Sequence, residues 1–314
     1  MSSDVPVLSV IVVVAGDRER IVGLGQALAQ QSIAPDLEVI FVDISESSTS
    51  ALSEIPGVKT MVINLPGSCD VGHARAEALR IAHAPLVAYL EDHTIPTPGW
   101  AAAIVDAFRD PAANAAAYAY TNGSPDTWWY RSVFMVEYGS TAHPPPAKAE
   151  GLRPANNVAY RREPLLALGT RLDALLEQDF FLHNELGADF RTVMAHGALL
   201  AHQTNASISE LMQGHYAFGR IFASRRVEHE GWSLAKRLCA APVTPWLVPL
   251  LRLARVARGL PGRKLWKDFL AALPVFALIF TGDALGEAHG YLDPDPQPRS
   301  LVWLEMQAER ARRS

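Results

Sequence analysis

Glu91-Asp92-His93 sets two carboxylates and an imidazole side by side at the end of an apolar run. Donors of these kinds can hold a divalent cation, and a cation so held can neutralise a diphosphate leaving group. The competing reading of the tripeptide is a solvated loop after a strand. Other residues could work with it. Asp43 also closes an apolar run. A carboxylate there can accept from a ribose hydroxyl or a base N–H, or can cap a turn. Arg75 lies on a helical segment leading toward Glu91. It can face a base or a phosphate, or be an ordinary exposed helical arginine. Asp179, within Glu177-Gln178-Asp179, can take a proton from an attacking hydroxyl or be a helix N-terminal carboxylate. His202 can ligate a metal or be a satisfied histidine at a strand end. Cation, nucleotide grip and general base are the parts needed for group transfer from a nucleoside diphosphate to a hydroxyl, given positioning for in-line attack.

Such residues need elements that bring them together. Leu8 to Val14 is a short, β-branched, almost wholly apolar run, which predicts a strand buried on both faces of a parallel sheet. Ala15-Gly16-Asp17 reads as a turn and helix start, and Ile21, Leu24 and Leu28 recur at helical spacing. Leu37 to Val42 predicts a second strand ending at Asp43, and Val58 to Ile63 a third. Val71, Ala74, Ala78 and Ala82 share a helical face. Leu86 to Leu90 predicts a fourth strand, ending at Glu91. Alternation of strand and helix predicts a doubly wound, mostly parallel α/β domain, with ligands beyond the carboxyl ends of its strands. A strand-like run ends at His202. Residues 114–155 hold Tyr118, Tyr120, Trp128, Trp129 and Tyr130, aromatic faces that can stack on a ligand ring or build core.

The chain of 314 residues has room for one large domain and an appendage, and its 49% hydrophobic content suffices for a sizeable core. A net charge of -5 gives it no overall basic bias toward nucleic acid. Cys69 and Cys239 are far apart and in no metal-type spacing, which fits a reducing compartment; no signal peptide is visible. Cytoplasmic placement is expected, at the inner face of the plasma membrane if the C-terminal part touches lipid. Asn205-Ala206-Ser207 is a glycosylation sequon by pattern only. A division is expected between a domain over 1–225 and a helical region over 226–314. In the latter, Leu238 to Leu251 and Phe269 to Gly282 are uncharged runs of 14 residues each. That is shorter than the ~20 residues that span a bilayer. Arg252, Arg255, Arg258, Arg263, Lys264 and Lys267 lie between them, with no acidic residue from 252 to 267. This predicts a basic amphipathic helix suited to peripheral contact with an anionic membrane; a helical subdomain with a solvated basic face is the alternative.

The order of these motifs resembles glycosyltransferase family 2, whose members have the GT-A fold. The resemblance runs over about residues 7–225. It is carried by Val10 to Asp17, Val42-Asp43-Ile44-Ser45-Glu46, Gly72-His73-Ala74-Arg75, Glu91 to Trp100, Asn157 to Arg162, Gln178-Asp179 and His202. Gly286-Glu287 with Gly290-Tyr291 also resembles the membrane-proximal ends of some members. The resemblance implies an inverting transferase that moves a sugar from a nucleoside-diphosphate sugar to a saccharide or lipid-linked hydroxyl, as in cell-envelope polysaccharide synthesis, with Mn²⁺ or Mg²⁺. It implies that Asp17, Asp43 and Arg75 hold the nucleotide, with Glu91 and Asp92 beside the nucleotide sugar. Asp92, His93 and His202 surround the metal and diphosphate, Trp100 and Asn157 shape the sugar or acceptor site, and Asp179 is the base. The sequence departs from the family pattern at Val14-Ala15-Gly16-Asp17 in the opening turn, at Ile44, at His93 in place of the second aspartate, and at Gln178 in place of an acid. Imidazole suits Mn²⁺ better than Mg²⁺.

Three other readings compete. Gly23-Leu24-Gly25 with Leu28 is a partial dinucleotide fingerprint, but it falls inside a helix rather than at a strand-to-helix turn. A nucleotidyltransferase would carry a Gly-rich basic loop after its first strand, and this chain does not. The replaced acids could instead mark a protein that binds a sugar nucleotide or polysaccharide without turnover.

Overall fold

A computed structural model describes residues 5–14, 18–44, 55–65, 71–147, 157–177, 179–187, 190–204 and 206–295. Asp17, Ser45-Glu46, Cys69, Gln178 and Asn205 lie outside the described residues. The chain divides into two compact units. The first comprises residues 1–123 and 143–203, the second residues 124–142 and 204–314.

The first unit is built on one eight-stranded sheet. Its strands are β1 (Leu8–Val14), β2 (Leu37–Asp43), β3 (Lys59–Asn64), β4 (Leu86–Glu91), β5 (Thr94–Pro96), β6 (Ala115–Asn122), β7 (Ala159–Arg161) and β8 (Thr192–His202). Their spatial order is β3-β2-β1-β4-β7-β6-β8-β5. The first four form a parallel block, as the apolar runs predict. β7 is antiparallel to both β4 and β6, β6 is parallel to β8, and β5 is antiparallel to β8. β4 and β5 are joined by only Asp92 and His93, yet three strands separate them in the sheet order. The sheet must therefore curl, which carries the end of β8 back to the end of β4.

Helices α1 (Arg18–Ala29), α2 (Val71–Ile81), α3 (Trp100–Ala107), α5 (Arg162–Leu166), α6 (Leu172–Glu177) and α7 (Asp179–Glu185) belong to this unit. At the starting edge of the parallel block, Glu38 is fully buried and satisfied. It accepts from Ser9 Oγ at 2.7 Å, from the His83 backbone N–H at 2.9 Å and pairs with Lys59 Nζ at 3.2 Å. Burial alone would raise its pKa, but the His83, Ser9 and Lys59 contacts prevail and hold it below the ordinary value.

The second unit consists of helices α4 (Trp128–Tyr138), α8 (Ile208–Glu230), α9 (Leu234–Ala240), α10 (Thr244–Arg258) and α11 (Trp266–Leu292). Val133, Met135 and Val136 of α4 pack with Leu211, Val256 and the apolar face of α11 from Phe269 to Phe280. α8 begins in a capping box, Ser207 with Glu210, and ends at Gly231 in the left-handed conformation. α8 and α11 lie so close that a Cβ on Gly286 would meet the Tyr216 carbonyl oxygen at 1.9 Å. The expected division at 225/226 falls inside α8, whose regular hydrogen bonding continues to Glu230. The apolar run from Phe269 is also part of a longer helix than predicted. α11 has 27 residues, and among the described residues it alone is long and apolar enough to cross a membrane, with 56% of its most apolar window buried inside the protein.

Candidate active site

Glu91 is the last residue of β4 and stands in register with Val13 of β1, while Asp43 stands in register with Val14. Both residues therefore end strands at the carboxyl edge of the parallel block, their backbones two strand spacings or ~10 Å apart. Asn157 fixes Glu91 from the other side. The Glu91 backbone N–H donates to Asn157 Oδ1 at 2.7 Å, and Asn157 Nδ2 donates to Glu91 Oε2 at 2.5 Å. Asn157 is fully buried, and Tyr120 donates its phenolic proton to the Asn157 carbonyl at 3.2 Å. Thr94 Oγ1 donates to the Glu91 carbonyl at 2.8 Å.

The curl of the sheet brings two imidazoles to this carboxylate. β5 pairs Thr94 with His202, and the Gln203 backbone N–H donates to the His93 carbonyl at 3.0 Å. The rings of His93 and His202 meet edge to face, centroids 4.7 Å apart. Nε2 of His93 and Nε2 of His202 each lie 3.9 Å from Glu91 Oε2. Donor atoms of the three side chains lie within 4.8 Å of one another. A cation about 2.1 Å from each donor separates donors by roughly 3–4.2 Å, so this carboxylate and two imidazoles fit a first-row divalent ion. Asp92 is outside this triad. Its Oδ1 meets Nδ1 of His93 at 3.0 Å, the usual way a carboxylate orients a ligating imidazole. Of the expected metal ligands Asp92, His93 and His202, the structure groups the two histidines with Glu91 as side chains that could hold a cation. Glu91 is still within the strand, where the pleat aims its side chain; Asp92 is already in the turn.

Arg75 is buried on α2 and donates from Nη1 to the Leu176 carbonyl at 3.2 Å, its guanidinium 5.4 Å from the Tyr89 ring centroid. The reason lies three residues earlier. A Cβ on Gly72 would meet the Asp173 carbonyl oxygen at 2.1 Å, so only glycine lets α6 close on α2. His73 Nδ1 also meets Asp173 Oδ2 at 2.8 Å. The Gly72-to-Arg75 segment therefore fastens α6, the helix that leads directly into Asp179. Asp179 is buried at the first position of α7. Its charge acts on the phenols of Tyr89, Tyr118, Tyr120 and Tyr160, all pushed upward in pKa chiefly by burial, with Asp179 adding to the rise and Arg75 opposing it at Tyr89 and Tyr160. The charges of both Glu91 and Asp179 act on Tyr120.

Two expected ligand contacts take other roles. Trp100 has no exposed surface and packs edge to face on Tyr118 at 5.6 Å, beneath the site. Asn157 spends its amide on Glu91. The aromatic stretch behaves similarly. Tyr118 and Tyr120 are buried in β6, while Trp128 and Trp129 donate to the carbonyls of Ala271 and Ala206 inside the second unit. Sequence reasoning missed Tyr89, Tyr160 and Thr94. No spacing signals them, since their relevance comes from strand pairing.

A family model described as glycosyl transferase family 2 matches residues 9–169, half of the chain. The chain belongs to glycosyltransferase family 2. This family 2 glycosyltransferase has the GT-A architecture. It is similar in fold to a mannosyltransferase from Pyrobaculum calidifontis solved with GDP-mannose and Mn²⁺, at TM-score 0.51 and 15% identity over 94% of this chain and 89% of that one. Glucosyl-3-phosphoglycerate synthase from Mycobacterium tuberculosis matches at TM-score 0.48 and 16% identity, over 73% and 81% of the two chains. Staphylococcus aureus TarS with UDP matches at TM-score 0.47 and 15% identity, over 89% and 90%. No curated protein matches the chain significantly. The dehydrogenase and nucleotidyltransferase alternatives fall with the family assignment.

Proposed function

We propose that this enzyme transfers a sugar from a nucleoside-diphosphate donor to an acceptor hydroxyl with inversion at the anomeric centre, using a divalent cation held by Glu91, His93 and His202. The observation that carries the reading is the convergence of three donor atoms, Glu91 Oε2 with each imidazole Nε2 at 3.9 Å. When bound, the cation would offset charge on the departing diphosphate. Two imidazoles in the set favour Mn²⁺ over Mg²⁺, and the P. calidifontis enzyme of similar fold was solved with Mn²⁺.

The chain's own residues do the remaining work. Asn157 clamps Glu91 through two hydrogen bonds and Asp92 orients His93, so the donor set is fixed in advance. Asp43, at the strand end two places away, accepts from the nucleoside, with Asp17 and Arg75 assigned to the same nucleotide by family resemblance. Asp179 takes the proton of the acceptor hydroxyl as its oxygen attacks the anomeric carbon. The bond from that carbon to the diphosphate oxygen breaks on the opposite face, so a single displacement inverts the centre. Trp100 supports this floor from below.

Two measurements test the proposal. A thermal-shift panel of UDP-, GDP- and dTDP-sugars should stabilise the protein with one base series, and more with Mn²⁺ than with chelator. Asp179→Asn should keep that shift while transfer falls ~10²–10⁴-fold. Undiminished transfer by Asp179→Asn would remove the base assignment.

A further inference from the structure

The second unit carries a surface that the transfer reaction does not use. Of the exposed large hydrophobic side chains in the described residues, most lie between Leu234 and Leu285. α10 concentrates them. Trp246 is 78% exposed, Leu250 65%, Leu251 55% and Leu247 47%. At 3.6 residues per turn these four share one side of the helix. The opposite side is fixed inward: Arg252 Nη1 pairs with the buried Asp283 of α11 at 2.6 Å, and Val256 is buried. This turns Trp246, Leu247, Leu250 and Leu251 outward, with Arg258 following on the same side in the last turn. α9 exposes Leu234 and Leu238, four residues apart, and α11 begins with exposed Trp266 and Leu270.

Charge around this surface is predominantly basic, with the exposed Asp268 as the acid at its far end. Residues 231–267 contain eight lysines and arginines and no aspartate or glutamate, in a chain whose net charge is -5. Arg252 is used on Asp283, and Arg263 is buried against the carbonyls of Gly139, Ser140 and Gly259. Arg258, Lys264 and Lys267 are exposed.

We propose that the outward side of α10, with Trp246, Leu247, Leu250 and Leu251 at one end and Arg258 at the other, lies on an anionic phospholipid surface, with Lys264 of the following loop and Lys267 in the first turn of α11 as further cations. Amphipathic tryptophan suits the headgroup boundary, leucines enter the acyl edge, and the cations face anionic headgroups. A second copy of the chain is the weaker occupant, since it would bring an equally cationic face to this one. The sequence placed the whole arginine series on the lipid side. The structure turns Arg252 inward and gives the contact to the first two turns of α10. This inference rests on the second unit alone and stands apart from the assignment of Asp179 or the cation.

The test is vesicle flotation of the full chain. Vesicles of phosphatidylcholine with phosphatidylglycerol should carry the protein at low salt and release it at high salt, while pure phosphatidylcholine carries little. Arg258→Glu/Lys264→Glu/Lys267→Glu should lower the partition into anionic vesicles about tenfold or more. Trp246→Ser/Leu250→Ser should lose flotation and keep the melting temperature, since both side chains are already exposed. Absence of flotation with anionic vesicles at low salt overturns the proposal, as does flotation unchanged in both variants. A dimer in solution that dissociates in Trp246→Ser/Leu250→Ser, with no vesicle binding by the parent, assigns the face to a second copy instead.

Discussion

Each unit encloses a histidine among carboxylates, and the two clusters are built for different ends. In the first unit, Glu91 meets an amide and two imidazoles, and the ligand atoms of Glu91, His93 and His202 point at one another. In the second unit, Asp283 is fully buried between Arg252 Nη1 at 2.6 Å and His215 Nδ1 at 3.2 Å, with Glu287 3.6 Å from Arg226 and Glu137 at 4.0 Å from His215. Asp283 and Glu287 in the second cluster are matched by guanidinium groups from neighbouring helices. Converging electron pairs define a place for an added cation, whereas carboxylates crossed by arginines define a joint between helices. Residue type alone does not separate the two, because both contain histidine and acids. The partners do.

The contrast breaks most visibly at the metal. His202→Ala should abolish the Mn²⁺-dependent part of the donor-induced thermal shift and lower transfer by ~10²-fold or more, comparable to loss of other electrostatic stabilisers. Retention of the full Mn²⁺ effect would deny the triad its role. In the other cluster, Asp283→Ala should leave the Mn²⁺ effect intact in any folded protein and lower unfolding free energy by about 3–5 kcal/mol, because Arg252 then loses a buried partner. Denaturant titration of the two variants side by side reads both halves of the comparison.

A smaller effect concerns pH. Burial would lower the His215 pKa, but the charges and hydrogen bonds of Asp283 and Glu137 prevail and raise it to about 9. A histidine raised above its unfolded value contributes stability that is complete below about pH 6.5 and is lost as pH rises through about 9. Melting temperature should therefore fall between those limits, and His215→Gln should flatten that fall. A fall of the same size in His215→Gln would assign it to another group. The smallest effect is expected at Tyr118. Its hydroxyl is buried without a hydrogen-bond partner among the described residues, so Tyr118→Phe should change stability by less than about 1 kcal/mol and not unfavourably.

The parallel block was legible because its strands are buried on both faces. Leu8–Val14 and Leu37–Asp43 are apolar and β-branched enough that no helix reading competes. β6 was not legible. Ala115 to Ala119 is mostly alanine, a strong helix former, and only pairing with β7 and β8 makes it a strand. The length of α11 was hidden because Asp283 and Glu287 seem to end an apolar run, while in the fold they are buried against Arg252 and Arg226. At the site, strand-end position exposed Asp43, Glu91 and His202 to inspection. What sequence could not supply was direction. Whether Glu91 or Asp92 faces the histidines depends on the pleat at the end of β4, and whether Asn157 meets a substrate or Glu91 depends on a strand placed sixty-six residues further along the chain.

The glycine seam between α8 and α11 bears on how the chain is made. A free helix with the length and apolarity of α11 suits a bilayer interior, yet α4, α8, α9 and α10 all precede it in the sequence. During synthesis from the N-terminus, every helix among the described residues that packs against α11 is made before it. The face of α8 bearing Gly219 then acts as a receptor waiting for the Gly286 face, and close backbone fit lets the nascent helix be captured by its own protein. Chain order thus gives α11 a protein surface to pack on as soon as it is made.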